Sequence, residues 1–133
     1  MLRMSRRVLG LAVVACLVVA APAAAKSYKI NMKTVPSSGA QSGTKLTGAY
    51  NGTPFGSCKM TGTLVIPDTK QTWACKGGTL KVVAHSTSGA SDDVVGTWTM
   101  SSGTGKFRGI KGKGKFTGTL SGGNFTYTGT ASW

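Results

Sequence analysis

Acidic residues are nearly missing from this chain, and histidine is almost as scarce. Its 133 residues contain no glutamate, three aspartates and one histidine, His85. Asp92 and Asp93 are adjacent, so on a strand their side chains point to opposite faces and cannot form the paired carboxylates of acid–base catalysis. His85 could pair with an aspartate at a strand end, but an exposed loop histidine is the more common situation. The composition therefore predicts no catalytic residue and no cofactor.

Long apolar segments are also missing, with one exception at the N-terminus. The basic stretch MLRMSRR is followed by an apolar run over Val8–Ala21 and by three alanines that end at Ala25. A basic start, a short apolar run and an A-x-A end are typical of a secretory signal peptide. The run is 14 residues long, shorter than the roughly 20 residues that cross a bilayer. We predict a signal peptide over residues 1–25, a single domain over 26–133, and a periplasmic or extracellular location.

Two alternatives for this segment stay open. Ser5–Leu9 resembles a twin-arginine export signal, although the strongly apolar run suits the general secretory route better. Val13–Cys16 resembles a lipoprotein cleavage box, in which Cys16 would carry the lipid. The apolar run continues past Cys16, which favours cleavage at the alanines.

Cysteine is limited to three positions, of which Cys58 and Cys75 follow the predicted signal peptide. Zinc would require four ligands, and neither the spacing nor the neighbours of these cysteines supply them, so we predict no metal site. An even cysteine count in an exported chain predicts a disulfide. A bridge that closes a loop of this size stabilises a fold by about 3 kcal/mol.

What the chain has in abundance is positive charge and glycine. Thirteen of its 16 cations and all three acids follow residue 25, which gives the predicted domain a net charge of +10. Such a charge attracts nucleic acid, acidic polysaccharide, lipopolysaccharide or an anionic envelope surface without choosing among them. The alternative is a basic surface that serves only solubility.

The stretch Gly103–Gly118 concentrates both features. Its candidate polyanion-binding residues are Lys106, Arg108, Lys111, Lys113 and Lys115. The last three share one strand face at spacings of about 7 Å. Exposed aromatic residues between them would favour nucleic acid, but Phe107 and Phe116 are predicted to point inward.

Gly109–Lys115 also fits the phosphate-loop pattern G-x-x-x-x-G-K. Phe116 stands where Ser or Thr is needed and no helix follows, so we reject a phosphate-loop function.

Alternation of apolar and polar residues dominates the rest of the chain and predicts an all-β fold. Eight strands with short turns are typical of an antiparallel barrel or sandwich. We predict a single eight-stranded antiparallel β-barrel, because closure removes exposed sheet edges. The predicted strands are Ser27–Thr34, Thr44–Tyr50, Cys58–Ile66, Gln71–Cys75, Thr79–His85, Asp93–Met100, Gly112–Leu120 and Phe125–Trp133.

One detail of this pattern conflicts with the disulfide. If Pro67–Lys70 forms the loop, Ile66 pairs with Gln71 and Cys75 lies opposite Gly62. Cys58 is then more than about 10 Å from Cys75, whereas a disulfide requires α-carbons within about 7 Å. We keep the disulfide and expect a bulge or another register.

The segment Val94–Phe116 resembles the allene oxide cyclase-like barrel superfamily, which includes plant dirigent proteins and small exported bacterial proteins. The residues that carry the resemblance are Gly103, Thr104, Gly105, Phe107, Gly109 and Gly112. The resemblance implies a barrel with an interior pocket and a possible homo-oligomer, commonly a trimer. Relatives that are enzymes use acidic residues in the pocket, and no such residue can be carried over to this chain.

We therefore predict an exported, non-enzymatic barrel that either binds a small apolar or aromatic molecule in its interior or serves simply as a stable envelope protein. The candidate pocket residues are Tyr28, Leu80, Val82, Trp98, Phe116, Phe125 and Tyr127. For each of them, a place in the plain barrel core is the more common role. The alternatives are polyanion binding through the basic stretch and a cryptic isomerase or cyclase activity.

Overall fold

A computed structural model describes residues 25–87 and 92–133, and these are all but four residues of the predicted domain. Residues 1–24 of the predicted signal peptide, which include Cys16, lie outside the described residues. The described part is made of strands and one short 3-10 helix, Gly105–Phe107. The strands are β1 Ser27–Thr34, β2 Ala40–Ser42, β3 Lys45–Thr53, β4 Cys58–Val65, β5 Asp68–Cys75, β6 Gly78–Ser86, β7 Asp93–Gly103, β8 Lys111–Thr119 and β9 Asn124–Ser132.

Eight of these strands close into an antiparallel barrel, which confirms the predicted fold class. Consecutive strands from β3 to β9 pair in order, β9 pairs with β1, and β1 closes the ring by pairing with β3. The three-residue strand β2 was not predicted. It pairs only with the start of β3 and is fully exposed, so it carries no apolar alternation that a sequence pattern could reveal.

The barrel interior is built by the alternate residues of every strand, and it is filled by large side chains. In β7, for example, Val94, Trp98 and Met100 are buried while Thr97 and Thr99 between them are exposed. Trp73 and Trp98 have 1% or less of their surface exposed. This two-residue period explains why the sequence predicts the faces of most strands correctly.

The inward glycines of β8 make room for bulky neighbours. A Cβ added at Gly114 would lie 1.9 Å from the carbonyl oxygen of Thr128 and 2.7 Å from Cζ2 of Trp98. The indole of Trp98 lies over this gap, and its Nε1 donates hydrogen bonds of 3.1 Å to the carbonyls of Lys115 and Thr128. The glycine alternation of β8 therefore seats Trp98 against the sheet.

The disulfide is confirmed, and the register predicted around it is wrong. Cys58 pairs directly with Cys75 across β4 and β5, with α-carbons 4.2 Å apart. The turn between the strands is only two residues long, because Val65 already pairs with Asp68. A Pro67–Lys70 loop would have moved the strands by four residues, and the shorter turn at Ile66–Pro67 removes the conflict.

The two ends of the barrel differ in chemistry. One end, here called the disulfide end, holds the Cys58–Cys75 bridge, the loop after β7, and Lys26 and Trp133, whose backbones hydrogen-bond to each other. The other end, here called the acidic end, holds all three aspartates of the chain at or beside the starts of β5 and β7. Among the described residues, no helix has the length and hydropathy needed to cross a membrane.

Candidate functional site

The predicted interior pocket residues do not gather around one cavity. Five of them, Leu80, Val82, Trp98, Phe116 and Tyr127, are buried among other side chains of the core. The remaining two lie at opposite ends of the barrel. Tyr28 stacks on Trp133 at the disulfide end with ring centroids 4.1 Å apart, and half-buried Phe125 lies near the acidic end. Ligand binding inside the barrel stays a prediction.

A cluster of neutral polar groups lies within this core. The amide of Gln71 accepts a 2.8 Å hydrogen bond from Nε1 of Trp73 and donates one of 3.2 Å to the hydroxyl of Tyr127. The hydroxyl of Tyr50 lies 3.3 Å from that of Tyr127. Burial raises the pKa of both tyrosines, so the cluster carries no charge at neutral pH. No carboxylate of the described residues lies in the barrel interior, and an isomerase or cyclase activity stays untested.

The glycine-rich loop after β7 closes the disulfide end. Gly105 and Gly109 have φ angles of 60° and 80°, a left-handed conformation that favours glycine. Between them the chain turns Phe107 into the barrel, where its ring meets those of Phe55 and Trp133 at centroid distances of 5.3 and 5.4 Å. Ile110, at the end of the loop, is fully buried. The motif residues thus have a structural role.

The basic stretch divides between this loop and the outer wall of the barrel. Lys106 and Arg108 are exposed in the loop at the disulfide end, where the Lys106 side chain packs over Gly77. Lys111, Lys113 and Lys115 are exposed along β8. The structure therefore places three of the five predicted cations in one column and the other two beyond its end.

Hydroxyl groups flank the lysine column on both sides. Lys113 pairs with Thr99 of β7 and with Thr130 of β9, and Lys115 pairs in the same way with Thr97 and Thr128. The ammonium group of Lys111 donates a 2.8 Å hydrogen bond to the carbonyl of Ser101. We call this surface the basic face, and its members are Thr97, Thr99, Ser101, Lys111, Lys113, Lys115, Thr128, Thr130 and Ser132.

The basic face has no acidic member, and part of it forms a depression. A depression of about 410 Å³ lies over the half of it nearer the disulfide end, between Thr99, Lys113 and Ser132. The alternation of hydroxyl residues in β7 and β9 was visible in the sequence, but their position beside the lysines depends on the strand order. Sequence reasoning therefore found the cations and missed the hydroxyls.

Asp68 and Asp92 lie at the acidic end and have partners of their own, whereas Asp93 is exposed at the start of β7. Oδ1 of Asp68 lies 2.5 Å from Nδ1 of His85, within hydrogen-bond distance, and no lysine or arginine of residues 25–87 and 92–133 forms a salt bridge with a carboxylate. Asp92 accepts hydrogen bonds from the hydroxyl and the backbone N–H of Ser121, which lower its pKa. The lysines of the basic face are consequently not paired with carboxylates.

No protein-family model, curated protein or solved structure matches the chain. Membership of the allene oxide cyclase-like superfamily and trimer formation therefore stay predictions.

Proposed function

We propose that this protein is an exported β-barrel that binds acidic polysaccharide through its basic face. The observation that carries the proposal is the column of Lys111, Lys113 and Lys115 between two columns of hydroxyls, with no carboxylate among them. Ammonium groups form charge-assisted hydrogen bonds with carboxylates and sulfates, and hydroxyls both donate to and accept from sugar hydroxyls. An extended chain along β8 would meet both kinds of group at each step.

Polysaccharide is favoured over single-stranded nucleic acid by the absence of stacking platforms. The exposed large hydrophobic residues of the described chain are Val35, Val65, Ile66, Val95 and Leu120, and none of them is aromatic. Proteins that bind single strands without sequence preference stack the bases on exposed aromatic rings. Trp98 and Phe116, which belong to the strands of the basic face, are buried in the barrel. Half-buried Tyr28 and Trp133 at the disulfide end stack on each other.

Export is supported by the N-terminal pattern and by the disulfide. Residues 1–25 combine a basic start, an apolar run and an alanine-rich end, and a Cys58–Cys75 bridge is compatible with an oxidising compartment. The mass of the protein recovered from culture medium or periplasm would test this. A mass that corresponds to a chain starting at Lys26 supports it, and a chain that keeps residues 1–25 contradicts it.

Binding is tested by fluorescence anisotropy with a labelled heparin oligosaccharide over a series of salt concentrations. We expect the affinity to fall steeply with salt, since each neutralised anionic group releases a counterion. In the variant K111Q/K113Q/K115Q, binding at the basic face should weaken at least tenfold, and the slope of log Kd against log salt for this face should be smaller by about two to three. An affinity that does not depend on salt would refute the proposal, and tighter binding of single-stranded DNA of equal charge would assign the face to nucleic acid.

A further inference from the structure

The barrel has a second basic concavity, on the opposite side from the basic face. It has a volume of about 590 Å³ and lies over the outer wall of β3 to β6. We call it the lysine–threonine groove, and its outward-facing polar members are Lys45, Thr47, Thr61, Thr63, Lys70, Thr72 and Lys81. These residues are far apart in the sequence, and no motif connects them.

Strand register brings these residues into two adjacent rows. Thr47 pairs with Thr61, Thr61 with Thr72, and Thr72 with Lys81, so the first row crosses four strands. Neighbouring strands lie about 4.8 Å apart, which places three hydroxyls and an ammonium group in line. Nζ of Lys81 donates a 2.9 Å hydrogen bond to Oγ1 of Thr72, which turns the charge toward the threonines.

The second row supplies the remaining charge. Lys45 pairs with Thr63, and Thr63 pairs with Lys70, so two lysines flank one more threonine. Short threonine side chains form the floor and long lysine side chains form the rim, which accounts for the depression. As on the basic face, no aspartate of the described residues pairs with these lysines.

The centres of the two concavities face away from each other. In the closed ring, the middle of the groove, over β4 and β5, lies three to four strands from β8. The edges of the two surfaces adjoin at β6 and β7, where Lys81 pairs with Ser102. A short anionic chain over the middle of one concavity therefore leaves the middle of the other free.

We infer that the lysine–threonine groove is a second binding surface for acidic polysaccharide, so that one barrel holds two polymer chains and cross-links them. This rests on the proposed function, because it assigns the same ligand class to a second site with the same chemistry.

Three variants of equal charge test the inference. K45Q/K70Q/K81Q alters the groove, K111Q/K113Q/K115Q alters the basic face, and K26Q/K59Q/K76Q is the matched control, with three lysines outside both concavities. All nine lysines are exposed, so the variants should keep the fold, which circular dichroism would verify. The readouts are the number of heparin tetrasaccharides bound in native mass spectrometry and the co-sedimentation of two sets of heparin-coated beads.

We expect the wild type and the control to bind two tetrasaccharides and to join the beads. Each concavity variant should bind one tetrasaccharide and lose bead joining. A groove variant that still binds two and joins the beads would overturn the inference while the proposed function stands. A wild type that binds no tetrasaccharide, or a basic-face variant that behaves like the control, would instead overturn the proposed function.

Discussion

At the scale of single residues, the glycines of β8 are required by the packing of Trp98. In the substitution Gly114→Ala, the new Cβ meets a backbone oxygen at 1.9 Å and the indole at 2.7 Å. Neither neighbour is a flexible chain end, so the strand or the indole must move. We expect the free energy of unfolding to fall by at least about 2 kcal/mol, as measured by denaturant unfolding with the disulfide intact.

The matched control for this prediction is Gly39→Ala. A Cβ at Gly39 has no neighbour within 4 Å, so this variant should stay within about 0.5 kcal/mol of the wild type. If the two variants lost the same stability, crowding by Trp98 could not be the reason for glycine in β8.

The two buried tyrosines should make the stability of the fold depend on pH in the alkaline range. Burial raises the pKa of Tyr50 and Tyr127, so the folded protein keeps both phenolic protons where the unfolded chain loses them, above about pH 10. Their contribution to stability is complete below that pH and is lost as the pH rises further. For these two groups the free energy of unfolding should fall by up to about 1.4 kcal/mol per pH unit for each tyrosine.

Alkaline unfolding followed by phenolate absorbance measures this effect. The signals of Tyr50 and Tyr127 should appear together with loss of the fold. The variant Tyr127→Phe should show about half of the slope. Ionisation of both residues within an intact barrel would contradict the prediction.

At the scale of the strands, the disulfide fastens β4 to β5 at the end where their hairpin is open. The two-residue turn joins the strands at the acidic end, and the bridge joins them at the other. The double variant C58A/C75A should unfold with a free energy lower by about 3 kcal/mol. Reductant should lower the free energy of unfolding of the wild type toward that of the variant and leave that of the variant unchanged. Equal free energies of unfolding for the wild type and the variant before reduction would contradict this prediction.

The strands also show which features a sequence can predict. The alternation in β9 identifies its inward Tyr127 and its outward threonines without knowledge of any other strand. The turn at Ile66–Pro67 does not follow from the local sequence pattern. If β5 is shifted along β4 by an even number of residues, every side chain stays on the same face of the sheet. Only the disulfide between the two strands distinguishes one register from another. For the same reason the lysines of β8 were predicted as a column, whereas the groove is created by pairings among β3 to β6.

At the scale of the whole molecule, net charge and local arrangement make separable contributions to binding. A charge of +10 on residues 26–133 draws a polyanion from a distance and accelerates association, and this effect depends little on which lysines carry it. Dissociation depends on the contacts within the complex. The charge-matched variants K111Q/K113Q/K115Q and K26Q/K59Q/K76Q distinguish the two contributions, because each removes three charges.

Stopped-flow measurements with a short heparin oligosaccharide are made in the K45Q/K70Q/K81Q background, so that only the basic face binds. They should give similar association rate constants for the two variants, both below that of the unaltered background and both decreasing as salt increases. The dissociation rate constant should rise about tenfold only in the basic-face variant, which loses charge-assisted hydrogen bonds. Equal dissociation rate constants in the two variants would mean that the barrel attracts polyanions by its total charge alone. The order of the lysines and hydroxyls along β7 to β9 would then have no part in recognition.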